Sequence, residues 1–147
     1  MQPILVKDKR FKVSMPASKI QARVHEVGAQ ISQDYEGRTP MFISVLTGAF
    51  IFAADLVRNV ATPSEIAFIR VASYEGTDST GEVKEVLGLK EDIAGRDVII
   101  VEDIVDTGIT MKNVIPLFKG RGAENIAICA FLVKPGKLQV DLKVDYP

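Results

Sequence analysis

Four consecutive apolar residues, Val98-Ile99-Ile100-Val101, run directly into Glu102-Asp103, then Ile104-Val105, then Asp106-Thr107-Gly108-Ile109-Thr110. An apolar run of this kind reads as a strand buried on both faces, the habit of a parallel sheet with helices on each side. Open α/β sheets bind ligands beyond the carboxyl ends of their strands, so acids placed there face the ligand crevice. The Thr-Gly-Ile-Thr turn opens a helix, and its backbone N–H groups and hydroxyls suit an anion at that N-terminus. Carboxylates beside a phosphate cradle fit a ligand with both diol hydroxyls and a phosphate, as a ribose 5-phosphate has. Taken piece by piece, the same residues are an ordinary βα loop with solvated acids and a capping Asp or Thr.

The rest of the chain supplies strands and helices in alternation. Ile4-Leu5-Val6 and Phe11-Lys12-Val13 flank the charged Lys7 to Arg10 and read as a small hairpin. Ser14 to Ser18, with Pro16, marks a helix start, and Ile20, Val24, Val27 and Ile31 recur at helical spacing up to Gly37. Met41 to Leu46 is a buried strand. Phe50 to Val60 is a helix, apolar almost all round and so expected to be covered. Glu65 to Ser73 is a strand, Tyr74 to Glu85 a polar loop, and Val86 to Leu89 a short strand. Ile109 to Phe118 carries a helical stripe ending at Gly120. Asn125 to Val133 is the next strand, and Val140 to Val144 alternates like one more. Such alternation predicts an α/β fold, a three-layer and mostly parallel sheet flanked by helices, in one domain spanning residues 1–147.

The 147 residues can bury roughly 70% of their unfolded surface, enough for a core without disulfides or metal. A net charge of −1 gives no electrostatic case for nucleic acid or anionic membrane as partner. No stretch approaches the eighteen or so apolar residues of a membrane span, and no signal-peptide pattern opens the chain. The single Cys129 lies in the apolar run Ile126 to Val133 and reads as a small hydrophobe in a reducing compartment, so the expected location is cytoplasmic. His25, the one histidine, cannot build a metal site and is assigned no role.

Three further segments carry chemistry. Leu46-Thr47-Gly48-Ala49 ends a strand on the ligand side, where a glycine lets backbone N–H groups approach an oxyanion; a strand-to-helix turn often needs a glycine for its own sake. Ala72-Ser73-Tyr74-Glu75-Gly76 opens the polar loop, and Lys134 follows a buried strand, where a lysine is as often a solvated end.

Together these segments, with the string from Glu102 to Thr110, resemble the type I phosphoribosyltransferases, in particular their hypoxanthine-guanine branch. The resemblance covers about Phe11 to Tyr146 in four motifs in order. It implies a core at about 14–137 and a small, incomplete hood from about 1–13 and 138–147. It also implies transfer of a phosphoribosyl group from phosphoribosyl pyrophosphate to N9 of hypoxanthine or guanine, with Mg2+. On this sequence Glu102 and Asp103 bind the ribose hydroxyls and support the metal indirectly. Asp106 is the general base on the purine's N7 proton. Asp106, Thr107, Gly108, Ile109 and Thr110 cradle the 5-phosphate.

By the same resemblance Leu46, Thr47 and Gly48, with Lys137, hold pyrophosphate. Thr47 stands where the branch often has lysine, which leaves backbone contact. Ser73 and Tyr74 start a mobile loop, and Lys134 donates to the 6-oxo group of the base, rejecting a 6-amino group. The partners implied are phosphoribosyl pyrophosphate, a 6-oxopurine and further copies of the chain, as a homodimer or homotetramer.

The family continues for several tens of residues beyond the position of Asp145-Tyr146-Pro147. That continuation carries an aromatic residue that stacks on the purine, backbone groups that read its edge and an acid near magnesium; the expectation is a partial sequence of an active enzyme. Two alternatives remain at this point. One is a regulatory protein that senses phosphoribosyl pyrophosphate on this fold and binds nucleic acid, which calls for a basic face and the loss of Asp106 or Lys134. The other is a xanthine-type phosphoribosyltransferase.

Overall fold

A computed structural model of the chain describes residues 4–6, 9–11, 14–73, 83–105, 108–134, 136 and 142–147. Strands β1 (Ile4–Val6) and β2 (Lys9–Phe11) pair antiparallel, Ile4 opposite Phe11 and Val6 opposite Lys9. The second strand was expected at Phe11 to Val13. Its ladder opens at Lys9 instead, because the pairing register sets Lys9 against Val6.

Helix α1 (Ala17–Asp34) starts after Pro16, whose extended backbone (φ −69°, ψ 154°) suits the residue before a helix. Its Val24, Val27, Gly28 and Ile31 are buried, as the spacing predicts. A Cβ on Gly28 would lie 2.6 Å from the carbonyl oxygen of Asn59, so this glycine permits the close approach of α1 to the end of α2. Strand β3 (Met41–Val45) is buried throughout. Helix α2 (Phe50–Arg58) follows, then β4 (Glu65–Ser73), β5 (Val83–Leu87), β6 (Asp97–Val105), α3 (Ile109–Gly120) and β7 (Asn125–Val133).

The main sheet has the order β5-β4-β3-β6-β7. Its four strands β4, β3, β6 and β7 run parallel, and β5 folds back antiparallel on the edge, Arg70 opposite Leu87. Helices α1 and α2 cover one face around Phe42, Ile99, Val101 and Cys129. Helix α3 covers the other, its Met111, Val114 and Phe118 packed on Met41, Ile43, Ile100 and Ile128. This is the three-layer arrangement expected from the alternation of strands and helices.

Four expectations need correction. Strand β5 spans Val83–Leu87, where Val86 to Leu89 was expected, so it both begins and ends earlier. The stop is at Gly88, whose φ of +90° takes the backbone out of the strand. Of the polar loop expected over Tyr74 to Glu85, residues 83–85 belong to β5, and residues 74–82 lie outside those described. Helix α2 ends at Arg58 and is not covered all round. Only Ala53 and Leu56 of it are buried, because one stripe suffices to cover β3 while Phe50 and Ile51 project outward.

Strand β6 does not stop at Val101 but runs through the acids to Val105, held by an equally long β7 that pairs Ile104 with Leu132 and Val105 with Val133. Finally, residues 142–144 form no strand. The C-terminal end instead joins the edge of β7 through a parallel bridge between Tyr146 and Cys129.

Two anchors hold that end. The Asp145 carboxylate accepts the Ile128 N–H at 2.9 Å, and the Tyr146 hydroxyl donates to Asp34 at 2.6 Å. Burial, then this hydrogen bond, pushes the Tyr146 phenol above its ordinary range. Nearby, Arg38 bridges to Asp97 at 2.6 Å, and Asn125 donates to the same carboxylate at 2.8 Å, joining the end of α1 to the starts of β6 and β7. All of this polar structure sits at the amino edge of β6 and β7, away from their carboxyl ends. No helix among the described residues is long and apolar enough to cross a membrane.

Candidate active site

The carboxyl edge of the sheet is opened by a mismatch in strand length. Strand β3 pairs with β6 only as far as Ser44 opposite Val101, while β6 continues to Val105 beside β7. Past Val101, therefore, β6 has lost its neighbour on the β3 side, and the chain leaving β3 turns there. The Leu46 N–H donates to the Ile69 carbonyl at 2.8 Å, the Leu46–Thr47 peptide is cis, and Thr47 and Gly48 are exposed before Ala49 becomes buried at the head of α2. A Cβ on Gly48 would collide with the Asp103 carboxylate, standing 2.8 Å from its Cγ. With Asp103 in this orientation, glycine leaves its carboxylate room against the turn.

Glu102 and Asp103 are tied into the backbone of their own strand. A Glu102 carboxyl oxygen accepts the Asp103 N–H at 2.9 Å, and an Asp103 carboxylate oxygen accepts the Ile104 N–H at 2.7 Å. Burial, and then a side-chain hydrogen bond with Asp103, push the Glu102 carboxyl up to about 8. Glu102 is thus mostly protonated at neutral pH as folded here, able to donate a hydrogen bond as well as accept one.

Helix α3 begins on the far side of these acids. Its N-cap is Gly108, in the left-handed region at φ +84°, and the Gly108 carbonyl accepts the Lys112 N–H at 2.9 Å. No side chain caps this N-terminus among the described residues. A cavity of about 180 Å³ lies between Glu102, Asp103, Ile104, Val105, Gly108, Thr110 and Met111, room for a phosphate-sized anion when a liquid water takes about 30 Å³. Lys134 follows β7 by one residue, and its N–H donates to the Val105 carbonyl at 3.0 Å, which places it at the same edge.

The structure thus brings together Leu46, Thr47, Gly48, Glu102, Asp103, Gly108, Thr110 and Lys134, with Ile109 in the first turn of α3 and Ser73 as the last residue of β4. Asp106, Thr107, Tyr74 and Lys137 lie outside the described residues. Sequence reasoning passed over Ile104 and Leu132. They are register neighbours on β6 and β7, both exposed, and they form an apolar ledge leading to Lys134. Their signal lies in the structure: β6 runs on past the end of its pairing with β3, and among the described residues nothing covers them there.

Comparison with known proteins gives this edge a family. Residues 16–147 match the model of the phosphoribosyl transferase domain. The chain is 40% identical over 136 residues to the hypoxanthine-guanine phosphoribosyltransferase of Bacillus subtilis, covering 92% of this chain and 76% of that enzyme. It is 40% identical over 138 residues to the hypoxanthine phosphoribosyltransferase of Salmonella typhimurium, covering 92% of this chain and 78% of that enzyme. Among solved structures, a hypoxanthine-guanine phosphoribosyltransferase of Bacillus anthracis with a HEPES molecule in its active site superposes with a TM-score of 0.82 at 35% identity, over 92% of this chain and 78% of that one. With a phosphoribosyl transferase domain over nearly its whole length and relatives of this identity and coverage, the chain belongs to the hypoxanthine-guanine phosphoribosyltransferase family.

Proposed function

We propose that this chain performs purine salvage, moving the phosphoribosyl group of phosphoribosyl pyrophosphate to N9 of hypoxanthine or guanine to give IMP or GMP and pyrophosphate. The observation that supports this most directly is the meeting of the Gly48 turn with Asp103. It sets an anion-binding turn, a carboxyl pair and the N-terminus of α3 around one crevice. A ribose carrying phosphates at two ends and hydroxyls between them matches that order.

Glu102 and Asp103 hold the ribose hydroxyls, and residues Asp106 to Thr110 hold the 5-phosphate on backbone N–H groups and two hydroxyls. Leu46, Thr47 and Gly48 hold the pyrophosphate by backbone contacts, with Lys137. The base lies on the ledge of Ile104 and Leu132, where Lys134 donates to its 6-oxo group. As the bond from the sugar to pyrophosphate breaks and the bond to N9 forms, Asp106 takes the proton from N7 of the purine. The loop that begins at Ser73 and Tyr74 covers the crevice and keeps water from the electron-poor sugar carbon.

The donor set suits magnesium in a supporting place. Glu102 and Asp103 share a hydrogen bond, and no group of three His, Cys, Asp or Glu ligands exists among the described residues. Glu102 and Asp103 would support the ion, leaving its other positions to ligand oxygens and water. When bound, it neutralises charge on the departing pyrophosphate. Residues 1–147 act as one domain, with a core at about 14–137 and hood elements at about 1–13 and 138–147, and copies of the chain associate as a homodimer or homotetramer in the cytoplasm.

Incubation with phosphoribosyl pyrophosphate, magnesium and hypoxanthine tests this reading, with IMP and pyrophosphate measured together. Equal yields of both are expected. The Asp106→Asn variant is expected to be roughly 10²–10⁴-fold slower while still binding phosphoribosyl pyrophosphate, since its phosphate contacts are largely backbone. Binding without turnover in the unaltered chain would instead favour a sensor on this fold, and an absence of binding would overturn the site itself.

A further inference from the structure

Ser44 is fully buried, and among the described residues its Oγ has no hydrogen-bond partner. A buried hydroxyl left unpaired is unfavourable, and an alanine would fill the same strand position without that cost. The place of Ser44 in the fold gives the hydroxyl a use. Along β3 the side chains alternate between the two faces of the sheet. Ile43 and Val45 join the α3 layer and Phe42 joins the layer of α1 and α2, so Ser44 also faces α1 and α2. It stands one residue before the end of β3, level with Phe68 of β4 and Val101 of β6.

The chain then turns through residues 46–49 and starts α2 back over the sheet. Ala49 and Ala53 are fully buried in the same layer as Phe42, and the Ala49 N–H donates to the Val45 carbonyl at 3.4 Å. These small residues let the start of α2 lie close over the end of β3, with Ser44 beneath it. In the turn, the Thr47 carbonyl accepts the Phe50 N–H at 3.3 Å, a long bond, and a carbonyl oxygen has a second lone pair to offer.

We propose that Ser44 is a positioning residue for the pyrophosphate turn, its hydroxyl donating to the Thr47 carbonyl when pyrophosphate is bound. The carbonyl and the N–H of the peptide plane between Thr47 and Gly48 point opposite ways. Fixing that carbonyl toward the core aims the Gly48 N–H into the crevice, at the anion. The hydroxyl that packing leaves unpaired in the free chain gains its partner on binding, so the bound form of the turn is the better satisfied one. The inference rests on the pyrophosphate contact proposed above for Leu46, Thr47 and Gly48, and it names what orients that contact.

The test is calorimetric titration of magnesium pyrophosphate into the unaltered chain, Ser44→Ala and Ser44→Cys. Ribose 5-phosphate, which carries no pyrophosphate, is the control ligand, and urea midpoints are measured alongside. Alanine removes the hydroxyl, while cysteine nearly keeps its size and offers a weak donor. Pyrophosphate affinity is expected to fall roughly three- to tenfold in Ser44→Ala, the scale of one hydrogen bond, with Ser44→Cys in between. Neither the ribose 5-phosphate affinity nor the urea midpoint of Ser44→Ala should fall. A serine with a purely structural role gives another pattern: a lower midpoint, with both affinities reduced or both unchanged. That pattern, or a Ser44→Ala chain that does not fold, overturns the proposal. Equal pyrophosphate affinity in all three chains also overturns the role of Ser44 and leaves the turn as the anion site. An unaltered chain that binds ribose 5-phosphate and no pyrophosphate overturns both.

Discussion

At the scale of single residues, two positions of the crevice carry consequences that can be measured. Glu102 is one. Its folded value of about 8 lies above the ordinary carboxylate value of 4.5, so the folded chain binds this proton more tightly than the unfolded chain does. The stabilisation that follows is fully present below the unfolded value and is lost as pH rises through about 8. Glu102→Gln is expected to remove that loss. At about 1.4 kcal/mol per unit, the variant should gain up to a few kcal/mol over the unaltered chain at about pH 9.5, and much less at about pH 5. Urea midpoints at the two pH values check it, and a difference independent of pH would mean that Glu102 titrates as an exposed acid. Gly48 is the other. Gly48→Ala sets a methyl against the Asp103 carboxylate, so that acid or the turn must shift. Since the turn is exposed, global stability should change by about 0.5 kcal/mol or less, while KM for phosphoribosyl pyrophosphate rises. An unchanged KM would move pyrophosphate binding off this turn.

At the scale of elements, boundaries were legible wherever one residue type decided them. Glu65–Ser73 and Asn125–Val133 follow from apolar, β-branched runs with polar ends, and the end of α3 follows from Gly120. The crevice residues at the carboxyl edge were legible because the motifs that carry them each close a strand of the parallel sheet. What the sequence hid was set by neighbours. The acids lie within β6 because β7 is long enough to pair that far, and α2 leaves Phe50 and Ile51 outside because β3 needs only one stripe covered. Neither fact is local. The start of α3, by contrast, shows a local rule and a functional demand coinciding. Gly108 at φ +84° occupies a conformation that costs an L-residue about 1–2 kcal/mol. Gly108→Ala should therefore destabilise the chain by about that amount and weaken anion binding at the N-terminus of α3, read by a melting curve and by titration with phosphate. Full affinity with lost stability would separate the cap from the cradle.

For the whole molecule, the sheet divides the core in two, and the crevice is built where elements from both halves end. The Gly48 turn leads into α2 of one layer, while Gly108 leads into α3 of the other. Damage to one layer should thus reach stability before it reaches the site, provided each crevice residue is held by its own strand. Phe118 tests this: it is fully buried in the α3 layer, and it lies near the opposite end of α3 from Gly108. Phe118→Ala is expected to cost about 3–5 kcal/mol, a large part of the roughly 5–15 kcal/mol typical of a domain. Phosphoribosyl pyrophosphate with magnesium at about a hundred times its Kd should return about 2.7 kcal/mol to either chain, raising Tm by roughly 5–11 °C for a chain of this size. Asp103→Asn, which touches the ligand and not the core, is expected to show the reverse pattern: a near-normal melting curve and a reduced ligand shift. If instead Phe118→Ala loses the ligand shift while remaining folded, α3 does not hold its N-terminus independently of its packing. The phosphate cradle and the core would then be one cooperative unit.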